Sequence, residues 1–160
     1  MSLKTAIQSD KLQFYIQQHP DNICPPVVPK KAYPSDIGYD LTLVRKVKDI
    51  NSNTTMYDSG ISIIPPVGYY IEIVPRSSLS KFGHIMANSI GIIDPSYRGT
   101  LRVVLTKVNS SVEDISLPCA RFQLILRKIN EIDTTVVELD NDSNFTTSTE
   151  RGSGGFGSTD

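Results

Sequence analysis

Four short clusters in this 160-residue chain carry the side chains best suited to chemistry. The first, Gly38-Tyr39-Asp40-Leu41, places a glycine and an acid at a strand start. The second, Pro75-Arg76-Ser77-Ser78, sets an arginine beside two hydroxyls at the entry to a helix. A guanidinium, hydroxyls and free backbone N–H groups together make a phosphate cradle. The third, Gly91-Ile92-Ile93-Asp94-Pro95-Ser96-Tyr97-Arg98-Gly99, holds an acid and a tyrosine on a tight turn between apolar strands. The fourth, Arg151-Gly152-Ser153-Gly154-Gly155-Phe156-Gly157-Ser158-Thr159, offers glycine N–H groups, hydroxyls and an arginine for phosphate, with one ring for stacking.

Each cluster also has a purely structural reading. The glycines serve turns, Asp40 and Asp94 act as turn or capping acids, Arg76-Ser77-Ser78 caps a helix, and the tail is a linker. The tail is no Walker A loop, because it lacks the lysine-hydroxyl pair and the strand-to-helix context. Phe156 argues against a pure linker: an isolated phenylalanine in a solvated arm has nothing to bury against unless a ligand or partner supplies it.

Strands must position these clusters. Leu12 to Gln17 alternates apolar and polar side chains. Short β-branched or aromatic runs follow at Ile61–Ile64, Gly68–Val74, Leu101–Val108, Arg121–Leu126 and Thr134–Leu139. Pro65-Pro66 and Pro118 delimit strands, since proline cannot donate to a ladder. Close spacing of short strands predicts a sandwich or barrel. One short helical turn is expected over Leu79 to Phe82, capped by Ser77 or Ser78 and ended by Gly83. The polar stretch Lys48 to Tyr57 reads as a loop insertion, and His19 and His84 as surface residues. Composition shifts near Asp140: residues 140–160 hold only Phe145 and Phe156 as large apolar groups. The expected division is therefore a core, residues 1–140, and a mobile glycine-rich arm, residues 141–160.

The formal net charge of −1 gives no reason to expect a nucleic-acid or membrane-surface partner. Cys24 and Cys119 are far apart and in no metal-ligand spacing, which points to neither a disulfide framework nor a zinc site. No apolar leader precedes Asp10, and no run approaches the ~20 apolar residues that span a bilayer. The default setting is intracellular, cytoplasmic or nuclear.

In this order the four clusters resemble the motifs of the trimeric all-β dUTPase family. The likeness runs from about Ser35 to Thr159, and the third and last clusters follow the family pattern most closely. The resemblance implies an all-β, distorted β-barrel or jelly-roll-like fold with one short helix. It implies a homotrimer whose sites each draw on three chains. The activity implied is metal-dependent hydrolysis of dUTP to dUMP and pyrophosphate, limiting uracil in DNA and supplying dUMP for dTMP synthesis. By resemblance Asp94 is the general base and Tyr97 lies against the deoxyribose, leaving no room for a 2′-hydroxyl. Asn88 and the backbone from Ser89 to Ile93, Gly91 included, read the uracil edge. Arg76, Ser77, Ser78 and Gln123 hold the α- and β-phosphates. Asp40 sits near the metal-water shell or serves as a structural partner. Mg²⁺ is held chiefly by the phosphates and water. The arm folds over a neighbouring subunit's site, with Phe156 stacked on uracil and Arg151, Gly157, Ser158 and Thr159 at the base and phosphates.

The chain departs from the family pattern at Ile37, Ser78 and most strongly at Pro118-Cys119-Ala120-Arg121-Phe122-Gln123, where the usual acid and arginine before the glutamine are missing. A dCTP deaminase shares the fold and favours Arg-Ser-Ser, but needs a glutamate in the strand Leu101–Val108, which has no acid. A non-catalytic nucleotide-binding trimer is the other alternative; such a module need not keep Asp94, Tyr97 and the complete arm.

Overall fold

A computed structural model describes residues 9–138. The chain divides into two units, Met1–Ile129 and Asn130–Asp160. The first contains ten strands: β1 (Gln13–Ile16), β2 (Tyr39–Leu43), β3 (Arg45–Asn51), β4 (Thr54–Asp58), β5 (Ile61–Ile64), β6 (Tyr69–Pro75), β7 (His84–Met86), β8 (Gly91–Ile93), β9 (Arg102–Lys107) and β10 (Cys119–Lys128). They form a four-stranded sheet in the order β2-β10-β6-β8, a second in the order β3-β4-β9-β7, and the pair β1-β5. Among the described residues these sheets do not close on one another, and the all-β expectation of a distorted, jelly-roll-like fold holds. No helix of the described residues is long and apolar enough to cross a membrane.

Alternation builds the core. Leu41 and Leu43, Ile61 and Ile63, Ile71 and Ile73, Val103 and Leu105, and Phe122 and Leu124 are buried two residues apart along their strands and join one cluster. Both four-stranded sheets contribute to it. In β10 the period breaks once: Cys119 and Phe122 are both buried although they lie three positions apart. The pairing with β2 shifts register between the same two residues. One extra residue bends a strand and re-aims its neighbours. Burial pushes the Cys119 thiol up, making it an inert core group. Cys24 and Cys119 are both free.

Several local expectations are corrected. The stretch from Lys48 to Tyr57 is a hairpin of β3 and β4 turning at Ser52 and Asn53. Its charges hid it, because β3 lies at a sheet edge and most of its side chains meet water. Lys46 of β3 bonds Asp49 and Asp114 at 2.9 Å each, and Lys107 also pairs with Asp114. Hydrogen bonds from Lys107 and Lys46 hold Asp114 down to about 2. The helical turn is a 3-10 helix, Ser77–Phe82, ended by Gly83 at φ 66° as expected. Its N-cap is Arg76 without a side-chain cap bond, so neither Ser77 nor Ser78 caps it. His84 is buried at 6% exposure, with Nδ1 2.8 Å from the Phe82 carbonyl, because β7 turns His84 and Met86 inward and Ile85 outward. In the second unit, residues 134–138 form no strand, and β-branched residues alone make no ladder without a partner.

Candidate active site

Three adjacent strands bring the first and second clusters together with Gln123 of the atypical segment Pro118–Gln123. Gln123 of β10 pairs with Asp40 of β2 on one side and with Val74 of β6 on the other. Arg76 follows β6 directly. Its Nη1 donates to Asp40 Oδ2 at 3.0 Å and to the Ala120 carbonyl at 3.3 Å, while its backbone N–H donates to the Arg121 carbonyl at 2.8 Å. The guanidinium is thus aimed by a carboxylate and a carbonyl, yet 39% of the side chain stays exposed to meet a ligand. Donors left unused by such a clamp suit a phosphate oxygen.

The atypical segment Pro118–Gln123 supports this arrangement through its main chain. Ala120 and Arg121 hold Arg76 with carbonyl oxygens, which any residue supplies. The Arg121 guanidinium lies 4.6 Å from the centroid of the Phe82 ring. That contact ties β10 to the 3-10 helix that carries Ser77 and Ser78.

Gln123 stands half-exposed between the fully buried Phe122 and Leu124. Gly38 keeps it there: a Cβ at Gly38 would overlap Gln123 Oε1 and stand 2.9 Å from Cδ. Asp40, Arg76, Gln123 and Gly38 line one cavity of about 590 Å³, together with Asp36 and Arg127. Arg76 and Ser77 also face an adjoining, more apolar cavity of about 440 Å³ that reaches Ser89. Neither Gly38 nor the Ala120 carbonyl stands out in the sequence as a support. A glycine two residues before an acid is the only local hint.

The segment from Met86 to Thr100, anchored by the pairing of β8 with β6, is mostly exposed. Ser89 takes φ 62° and donates its N–H to the Met86 carbonyl at 3.1 Å, and Ile90 N–H reaches the Asn88 carbonyl at 2.6 Å. These tight turns present Asn88 and the neighbouring main chain outward ahead of β8, with Gly91 buried and Ile93 half-buried on that strand. Beyond it Asp94 is exposed, and its carbonyl accepts from Tyr97 N–H at 3.0 Å. Tyr97 is 40% exposed, its hydroxyl donating to the Thr100 carbonyl at 3.0 Å. Neither Asp94 nor Tyr97 lines the cavities that hold Arg76. Within one chain, the cavities at Arg76 and the turn that carries Asp94 and Tyr97 are therefore distinct. Arg151, Phe156, Gly157, Ser158 and Thr159 lie outside the described residues.

The described residues contain no cluster of three or more His, Cys, Asp or Glu side chains placed to hold a metal ion. Asp40, the carboxylate at the cradle, is committed to Arg76. That donor set suits a cation carried in on a ligand's phosphates and touched through water, not a protein cage.

Comparison with known proteins covers nearly the whole molecule. The dUTPase family model matches residues 26–160. The chain is 32% identical over 145 residues to the deoxyuridine 5'-triphosphate nucleotidohydrolase of Picosynechococcus, covering 90% of this chain and 95% of that protein. It is 34% identical over 133 residues to the Arabidopsis thaliana protein of the same name, covering 83% of this chain and 76% of that one. The fold resembles that of the Staphylococcus bacteriophage 80alpha dUTPase solved with dUPNHPP, at a TM-score of 0.70 and 20% identity over 95% of this chain and 99% of that chain.

Proposed function

The chain belongs to the dUTPase family and hydrolyses dUTP to dUMP and pyrophosphate, and from that premise we propose how its residues do so. The observation that carries the proposal is the cradle at Arg76, clamped by Asp40 and by the carbonyls of Ala120 and Arg121 beside an outward-facing Gln123. Arg76, Ser77, Ser78 and Gln123 bind the α- and β-phosphates. Asp40 acts through Arg76, fixing its fork against phosphate. Asp94 takes the proton of the water that attacks the α-phosphorus. Asn88 and the main chain through Gly91 to Ile93 read uracil, and Tyr97 packs on the deoxyribose. Fixed donors and acceptors in such a turn reject a cytosine amino group strongly, because a mismatched polar edge leaves buried groups unpaired.

The separation of cradle and turn within one chain supports a homotrimer in which the turn of one subunit meets the cradle of another, with Arg151, Phe156, Gly157, Ser158 and Thr159 completing the site. Mg²⁺, carried by the triphosphate, supplies neutralisation of the charge that develops on pyrophosphate. Everything else is done by the chain: Arg76 orients the phosphates, Asp94 holds the proton, and the turn excludes other bases and sugars.

Purified protein should release pyrophosphate from dUTP and not from dCTP, dTTP or UTP, and only with Mg²⁺ present. Equal release from UTP would remove the role given to Tyr97. Ammonia from dCTP would instead indicate a deaminase.

The Asp40→Asn variant tests the positioning role. Loss of the charge-assisted clamp should lower kcat/KM for dUTP by about 10- to 100-fold, since misplacing a binding group by an ångström costs on that scale. The Mg²⁺ concentration for half-maximal rate should not change. A deficit that excess Mg²⁺ repairs would place Asp40 in the metal's shell instead.

A further inference from the structure

We propose that Gly99 is a positioning residue for sugar selectivity: the empty space at its Cα seats the Tyr97 ring, and an alanine there would unseat it. The inference rests on the role given above to Tyr97, and it assigns the cause of that ring's pose.

The turn from Asp94 to Thr100 is tied to itself at several points. Tyr97 N–H bonds the Asp94 carbonyl at 3.0 Å. The Arg98 guanidinium folds back on the same turn, donating to the carbonyls of Pro95 at 2.6 Å and Tyr97 at 2.9 Å. Those bonds fix the backbone from which the tyrosine projects. At its far end the ring is held by the hydroxyl's bond to the Thr100 carbonyl at 3.0 Å. The side chain therefore bridges from residue 97 to residue 100, passing over Gly99. With both ends held, its pose depends on what lies beneath it.

Gly99 supplies that space. A Cβ there would overlap Tyr97 Oη and stand 2.6 Å from Cζ and 3.2 Å from Cε2. All three of the nearest atoms belong to Tyr97. The glycine is not needed for backbone freedom. The described glycines at positive φ are Gly60, Gly68 and Gly83, so Gly99 has a conformation open to any residue. The nearest atoms that an alanine's Cβ would meet beyond its chain neighbours are those of the ring. The ring would have to give up the Thr100 bond and tilt away from Gly99, and its 40% exposure leaves it room to move toward solvent. A sugar-excluding ring that has tilted no longer fills the place of a 2′-hydroxyl.

A double-mutant cycle tests this, read as the ratio of kcat/KM for dUTP to kcat/KM for UTP. Gly99→Ala should lower the ratio by about tenfold, the scale on which a pocket distinguishes one small group. Tyr97→Ala should lower it as well. Adding Gly99→Ala to Tyr97→Ala should leave the ratio where Tyr97→Ala put it, because no ring remains to displace. A wild-type ratio in Gly99→Ala overturns the proposal. So does a second, equal loss in the Tyr97→Ala background. Failure of both Gly99→Ala proteins to fold, shown by their melting curves, would assign Gly99 to the scaffold and overturn it too. If the wild-type enzyme itself treats UTP and dUTP alike, the reading of Tyr97 fails, which the other outcomes leave intact.

Discussion

Replacing Asp94 with asparagine is expected to lower kcat by about 10²- to 10⁴-fold, the contribution of a well-placed general base, while dUTP still binds. Asparagine keeps the shape and one oxygen of the side chain but cannot accept a proton. Asp94 sits just past β8 at an exposed turn whose carbonyl is engaged by Tyr97 N–H, so the backbone is held while the carboxylate faces water. Among the described residues no hydrogen bond or ion pair occupies that carboxylate. Single-turnover hydrolysis measures the chemical step, and titration with a non-hydrolysable dUTP analogue measures binding. A kcat within a few-fold of wild type would remove Asp94 from the reaction.

Ending the chain at Glu150 should leave a folded protein with pyrophosphate release reduced on the order of 10²-fold or more, the scale of lost phosphate positioning. The deletion removes Arg151, Phe156, Ser158 and Thr159. It leaves the hydrophobic core intact, because every buried member of that cluster lies between Leu41 and Leu124. The melting temperature and the oligomeric mass should therefore stay at wild-type values while the rate falls. A rate equal to wild type would confine the arm to some other task. A lower melting temperature together with dissociation would make it part of the scaffold.

Much of the site is local and was legible from residue types alone. Gly91 to Gly99 encode a strand, a turn and their functional groups within nine residues, and Pro75 to Gly83 encode a strand end, an arginine and a helical turn. Their structure follows from nearest neighbours and from the demands of proline, glycine and alternation, so sequence order suffices. The alternation of Phe122, Gln123 and Leu124 is equally local, burying the first and third and leaving Gln123 half-exposed. The β3-β4 hairpin escaped notice because an edge strand bathed in water has no apolar period to read. The irregularity in β10 escaped because a register shift appears only against a partner strand.

What the sequence by itself determined is therefore the set of chemical groups, the all-β class and the internal geometry of each short turn. What only the tertiary structure decided is which groups meet. Asp40 and Arg76 are 36 residues apart and touch because β2 and β6 flank β10. Gly38 meets Gln123, and Ala120 lends Arg76 a carbonyl, through the same strand order. Those contacts depend on register between distant strands, and register is set by the shared core's burial of Leu41, Ile73 and Phe122, a many-body choice that no single stretch of chain contains.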